Sequence, residues 1–211
     1  MPMIETRRLL LRDVLRADAE GFHSYRRHVP MEPPTREQID EFLEQCLRER
    51  EESPRSSYCL AATLKDTNEI VGEAFLRIRS ARHRQGEIGW AVAEFHQGKG
   101  LATEIGLALL RFGFDGIGLH RIFARTRREN LASRWVMAKI GMREEGILRE
   151  NVWARGEWWS SVQCSILVHE YGAASAPVGA VPTDGQISKP SAHEESRLVR
   201  QRAPVAGALE F

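Results

Sequence analysis

Between Glu94 and Thr103 the chain reads Glu-Phe-His-Gln-Gly-Lys-Gly-Leu-Ala-Thr, and its chemistry lies in what the side chains leave bare. Gly98, Gly100 and Ala102 offer backbone N–H groups that no large side chain covers. They do so where the apolar spacing Leu101, Ile105, Ala108, Leu109, Phe112 announces a helix. The first N–H groups of a helix have no partner within it and carry the positive end of its dipole, so the run is expected to hold an anion. Glycine there serves either the close approach of phosphate oxygens or the turn alone. A nucleoside-triphosphate loop of the GxxxxGK[ST] type is disfavoured, because Lys99 is followed by Gly100. A dinucleotide fingerprint is also disfavoured, since Thr103 stands at its third small position and no acidic residue follows about twenty residues on.

The elements that must carry this turn alternate in period. Arg8 to Asp13 reads as a strand, followed by a helix with Ala19, Phe22 and Tyr25 on one face. Thr35 and Gln38 form a capping box for a second helix, with Ile39, Phe42, Leu43 and Cys46 on its apolar face. Tyr58 to Leu64, Ile70 to Ile78 and Gln85 to Ala93 read as an antiparallel meander, its first turn being Lys65-Asp66-Thr67-Asn68. After the glycine run and its helix, which ends near Gly116 and Gly118, Arg121 to Thr126 is strand-like. Asn130 opens a helix closed by Gly141. Arg143 to Val152 and Trp158 to Val168 then form a last hairpin around Ala154-Arg155-Gly156. The layout predicts an α+β fold with a mixed, mostly antiparallel sheet. Residues 1 to 171 are expected to be one domain. Residues 172 to 211, rich in Ala, Gly, Ser and Pro, are expected to be a disordered tail.

Composition narrows the class. The 211 residues carry 30 Lys plus Arg against 29 Asp plus Glu, and a net charge of +1 supplies no field for nucleic acid or an anionic membrane. Cys46, Cys59 and Cys164 show no metal-ligand spacing, so buried free thiols and no metal are expected. The first fifteen residues are broken by Arg7, Arg8, Arg12 and Asp13 and lack a signal core, which places the chain in the cytoplasm.

Gln97-Gly98-Lys99-Gly100-Leu101-Ala102 resembles the Q/R-x-x-G-x-G/A signature of the GNAT superfamily of N-acetyltransferases. Asn130-Leu131-Ala132-Ser133 with Lys139-Ile140-Gly141-Met142 is similar to its N-x-x-S and K-x-G-F/M segment. Thr6-Arg7-Arg8-Leu9-Leu10-Leu11-Arg12 resembles the T-x-R-L-x-L-R opening of the Rim-type branch, the ribosomal-protein N-terminal acetyltransferases. The resemblance implies a GNAT-like sheet with helices on both faces and acetyl-CoA as co-substrate. Trp90, Ala91, Val92 and Ala93 would pair with the pantetheine arm. Gln97, Gly98, Lys99, Gly100, Leu101 and Ala102, with the hydroxyl of Thr103, would receive the pyrophosphate. Asn130 would contact the coenzyme near its sulfur, or serve only as a helix cap.

Acyl transfer to an amine needs a neutral amine, a polarised thioester and a proton for the thiolate. Glu87 is the expected base, against the alternative of a partner for a nearby arginine; Ser133 is the expected proton relay, against a capping role. The branch's carboxylate before the last hairpin is Val152 here, so Glu150, on the same face if alternation holds, is the substitute. Its Asp and Tyr on the last strand are Ser160 and Cys164, which weakens the case for a ribosomal-protein substrate. The acceptor, a peptide N-terminus or a small-molecule amine, would lie among the first two helices, the loop Met31 to Thr35 and the hairpin carrying Trp153, Trp158 and Trp159. These tryptophans either stack an acceptor or fill core. Arg79, Arg82, His83 and Arg84 form a basic turn that would meet an acidic acceptor, the 3′-phosphate of CoA, or only solvent. The chain is expected to act as a monomer or homodimer. A non-catalytic acyl-CoA sensor is the alternative function, and an enzyme detoxifying one antibiotic or metabolite a third.

Overall fold

The structure, a computed structural model, describes residues 3–26, 35–154 and 156–174. Eight strands form one sheet: β1 (Met3–Glu5), β2 (Leu9–Asp13), β3 (Ser57–Leu64), β4 (Ile70–Ser80), β5 (Gln85–Val92), β6 (Arg121–Arg127), β7 (Arg143–Ala154) and β8 (Glu157–Leu167). Their order is β1-β2-β3-β4-β5-β6-β8-β7. Every neighbouring pair is antiparallel except β5 and β6. That one parallel contact requires a crossover. It is made by α3 (Leu101–Arg111), which runs on into a π-helical turn, Phe112–Gly116.

Strand alternation sends the two rows of side chains to different cores. Leu60, Leu76, Ile88, Trp90 and Ile122 pack with Ile105, Leu109, Met137 and Ile140, beneath α3 and α4 (Leu131–Lys139). On the opposite face Cys59, Ala61 and Ala91 pack with Phe22 of α1 (Ala19–Arg26) and with Ile39, Leu43 and Cys46 of α2 (Arg36–Arg50). Helices therefore cover both faces. The capping box at α2 is present: Thr35 Oγ1 accepts from Gln38 N at 3.2 Å, and Thr35 N donates to Gln38 Oε1 at 2.8 Å.

Two elements go beyond the sequence reading. β1 pairs with β2 through Met3↔Arg12 to Glu5↔Leu10, and α5 (Val168–Ala174) follows β8 directly. α5 is anchored by Leu167 N on Glu170 Oε2 at 2.9 Å and by Tyr171 stacked on Phe114 with centroids 5.0 Å apart. Helical structure thus extends three residues past Tyr171; the rest of the expected tail, like Met31 to Pro34 and Arg155, lies outside the described residues. All three cysteines are buried and free.

Gly72 on β4 faces the carbonyl of Ala91 so closely that a Cβ there would stand 2.4 Å from its oxygen. Backbone cannot yield as a flexible side chain can, so Gly72→Ala must push β4 from β5. It is expected to cost about 2 kcal/mol, roughly 6 °C in Tm. An unchanged melting curve by circular dichroism would show that the two strands have slack there.

Candidate functional site

β5 and β6 are in register only at Gln85↔Arg121, Gly86↔Ile122 and Glu87↔Phe123. Beyond that point β5 continues on β4 as far as Gly72↔Val92, while β6 continues on β8 as far as Arg127↔Ser161. The strands therefore part, and the edge of Ile88 to Val92 that faces β6 has no strand partner among the described residues. Unpaired strand edges take an extended chain that carries its own amides.

The fork opens toward the glycine turn. Gln97 Nε2 donates to Val92 O at 2.9 Å, folding the turn back onto the end of β5. Gly98 and Gly100 have φ of 72° and 80°. A Cβ at Gly98 would meet nothing within 4 Å, and one at Gly100 only Arg8 Nη2 at 3.6 Å. Left-handed backbone, not crowding within the protein, is what glycine supplies at both positions. Among the described residues no side chain caps α3, so its leading N–H groups stay available to an anion.

Glu87 lies where the strands separate, and its side chain is 2% exposed. Its Oε2 receives Arg79 Nε and Nη2, both at 2.6 Å, and its Oε1 receives Arg125 Nε at 3.1 Å and Nη2 at 3.0 Å. Four donors fill the four lone-pair positions of the carboxylate. The geometry is that of a brace across β4, β5 and β6, and it speaks against the proton-accepting role expected of Glu87. Arg79 is thereby also drawn out of the basic turn. That turn lies at the opposite end of β5 from Gly98, about 25 Å away by strand rise over eight residues.

At the start of α4, Asn130 Oδ1 accepts from Ser133 N at 3.1 Å and Asn130 Nδ2 donates to Ser133 Oγ at 3.0 Å. The cap is real, and it leaves the Ser133 hydroxyl its own proton to donate. Glu150 does not share a face with Val152, because alternation fails between them. Pairing jumps from Leu148↔Ser161 to Val152↔Trp159, and Glu150, at φ 47°, is exposed in the bulge with its N–H on Ser160 Oγ at 3.0 Å. Cys164 faces the apolar core under α3; burial, with the Glu144 carboxylate nearby, pushes its thiol up to about 11. The tryptophans divide. Trp159 is buried with the Arg127 guanidinium 3.5 Å above its ring, while Trp153 and Trp158 form an exposed edge-to-face pair at 5.2 Å.

A further buried carboxylate lies beside the fork. Glu73 is buried on β4, opposite Ala91 across β5 and opposite Ala61 across β3. It lines a small cleft with Phe42, Cys59, Phe75 and Trp90. The signal was available: Glu73 is the one acid in the apolar strand Ile70-Val-Gly-Glu-Ala-Phe-Leu, and a carboxylate is seldom buried there without a task.

Residues 8–143 match the family model described as an acetyltransferase (GNAT) domain. The chain is 30% identical over 174 residues to the uncharacterized N-acetyltransferase YnaD of Bacillus subtilis (strain 168), covering 80% of this chain and 98% of the relative. An acetyltransferase of the GNAT family from Bacillus anthracis superposes with a TM-score of 0.68 at 30% identity, over 80% of this chain and 99% of its own. Mycobacterium smegmatis RimJ, solved in complex with CoA-disulfide, superposes with a TM-score of 0.69 at 26% identity, over 82% and 94%. The forked sheet, the uncapped glycine turn and these matches agree: the chain belongs to the GNAT family, within its Rim-type branch, as an acetyl-CoA-dependent N-acetyltransferase.

Proposed function

We propose that acetyl-CoA lies in the fork, with its pantetheine arm along Trp90, Ala91 and Val92 and its diphosphate on the backbone amides of Gln97 to Ala102. The hydroxyl of Thr103 and the ammonium of Lys99 add to that anion site. The observation that carries this reading is an edge of β5 with no strand partner among the described residues, followed through a short 3-10 turn and the glycine turn by an uncapped helix start. An extended ligand with two amides and a diphosphate complements both parts at once.

The acceptor amine approaches from the α1 and α2 face and attacks the thioester carbon directly in a ternary complex. Two features support that side. Glu73 and Ala91 form a cross-strand pair and share this face, and the cleft that Glu73 lines is closed above by Phe42 of α2. Glu73 takes the proton from the ammonium, directly or through water, so that a neutral amine adds to the carbonyl. The tetrahedral intermediate collapses as its nitrogen loses a second proton, the C–S bond breaks, and the Ser133 hydroxyl, which Asn130 orients, relays that proton to the departing thiolate and ends neutral. Glu87 acts one step back, bracing the base of the fork through Arg79 and Arg125. The acceptor is a primary amine on a peptide N-terminus or a small molecule, and the exposed Trp153 and Trp158 offer an apolar wall on the final hairpin.

With acetyl-CoA and a panel of amines and peptides, a thiol-detecting dye is expected to report CoA release. Thermal stabilisation by acetyl-CoA without thiol release from any acceptor would instead support a non-catalytic binding module. Glu73→Gln is expected to lower kcat about 100-fold and to flatten the rise of rate with pH. A wild-type profile in that variant would remove Glu73 as the base. Glu87→Gln is expected to act on the fold instead. It leaves two guanidinium groups half-compensated, costing about 3 kcal/mol or roughly 9 °C in Tm, while the shape of the pH profile stays wild-type. An undisturbed melting curve with an altered pH profile would return the base to Glu87.

A further inference from the structure

The turn between β1 and β2 reaches across to the start of α3 and closes on one carboxylate. Glu104, in the first turn of α3, accepts at Oε1 from Thr6 Oγ1 at 2.6 Å and from Arg8 N at 2.7 Å. At Oε2 it accepts from Arg8 Nε and Nη2, both at 2.8 Å. Thr6 Oγ1 in turn accepts from Leu9 N at 2.8 Å, which fixes the hydroxyl that serves Glu104. A third nitrogen of the same guanidinium, Arg8 Nη1, donates to the carbonyl of Lys99 at 2.9 Å. Farther along α3, Arg111 Nη2 donates to Glu5 O at 2.9 Å, so the hairpin is strapped to the helix at both ends.

The bond to Lys99 bears on the anion site through peptide geometry. Lys99 C=O and Gly100 N–H belong to one planar trans peptide and point in opposite directions. Pinning the carbonyl to Arg8 therefore turns the Gly100 N–H away from Arg8, out of the turn. Gly98 and Gly100 give the segment its left-handed bends and also the widest conformational freedom to lose on binding. Charge matters as well. Glu104 is a carboxylate in the first turn of a helix proposed to receive a diphosphate, and without a counter-ion the two would repel. Burial alone would raise the Glu104 carboxyl, but the hydrogen bonds from Thr6 and Arg8 outweigh it and hold the group below its usual value.

We propose that Arg8 is a positioning residue for the coenzyme's diphosphate: it orients the Lys99–Gly100 peptide and neutralises Glu104, so that the glycine turn is ordered and relieved of the carboxylate's repulsion before acetyl-CoA arrives. The proposal rests on the coenzyme site described above. It also gives the Thr6-x-Arg8 spacing its physical meaning, since the two residues must flank a single turn to reach both oxygens of Glu104.

The test compares dissociation constants for acetyl-CoA and for S-acetylpantetheine, which lacks the diphosphate and adenosine, by calorimetry or competition. Arg8→Ala is expected to weaken acetyl-CoA binding about tenfold, the worth of one charge-assisted hydrogen bond. S-acetylpantetheine should shift by less than about twofold, because its contacts lie away from the turn. Arg8→Lys keeps the charge and the fold but cannot reach Glu104 and the Lys99 carbonyl together, and is expected to fall between. Adding Glu104→Gln to Arg8→Ala should recover part of the lost affinity by removing the uncompensated carboxylate. Equal weakening of both donors in Arg8→Lys, no weakening of either, or a further loss in the double variant overturns the proposal. If the wild-type chain binds acetyl-CoA and Arg8 proves indifferent, only the strap fails; if the wild-type chain does not bind acetyl-CoA, the coenzyme site fails and the strap's role with it.

Discussion

The constraint on which the rest of this molecule depends is that two neighbouring strands stop pairing halfway along the sheet. A buried N–H or C=O left without a partner costs about 1–3 kcal/mol, so a sheet interior does not part freely. Here β5 and β6 share three residue pairs and then diverge. What fixes the point of divergence is visible at the junction. The Glu87 carboxylate ties Arg79 on β4 to Arg125 on β6, and on the opposite face α3 and α4 wedge Ile105, Met137 and Ile140 against Ile88 and Trp90. The unmet hydrogen-bonding capacity of β5 is then available to a ligand with amides of its own.

Alternation along β5 assigns the labour within that arrangement. Ile88, Trp90 and Val92 point into the core beneath α3, so the strand is anchored by one row of side chains. Glu87 and Ala91 point to the other face, where β4 contributes Glu73 and β6 contributes Arg125. The backbone edge between the two rows faces the fork. Anchor, proposed coenzyme edge and proposed acceptor face are thus three directions of one strand, and a single-residue slip in its register would exchange the core row with the opposite row.

What the sequence made legible was local. The glycine turn, the Thr35 box, the Asn130 cap and the helix faces each depend on residues three or four apart, and each is present. β1 escaped because three residues cannot display a period. α5 escaped because its anchors, Phe114 and His120, lie about fifty residues earlier. Glu87 read as a base because nothing nearby announces Arg125, 38 positions on, as the occupant of its second oxygen. Glu150 was placed by counting alternation through a stretch in which Arg149 to Asn151 bulge out opposite Ser160, and a bulge is the one feature that defeats that count. The tryptophan question divided for a similar reason: on β8, Trp158 and Trp159 face opposite ways, and only the burial of each face decides which one fills core.

The glycine turn exposes a conflict that any anion site of this kind must resolve. Left-handed backbone at Gly98 and Gly100 requires residues without a Cβ, and those residues make the unliganded turn costly to order. Side chains within the turn cannot do the ordering, since they would cover the amides that bind. Order has to come from outside, through contacts to the carbonyl side of the same peptides. Gln97 reaches back to Val92 O, and Arg8 reaches in from the turn before β2 to Lys99 O, so both contacts are made to carbonyls and leave the amides of the turn uncovered. The second comes from the β1–β2 turn, 91 residues distant in sequence, so the order of the glycine turn depends on a hairpin at the far edge of the sheet.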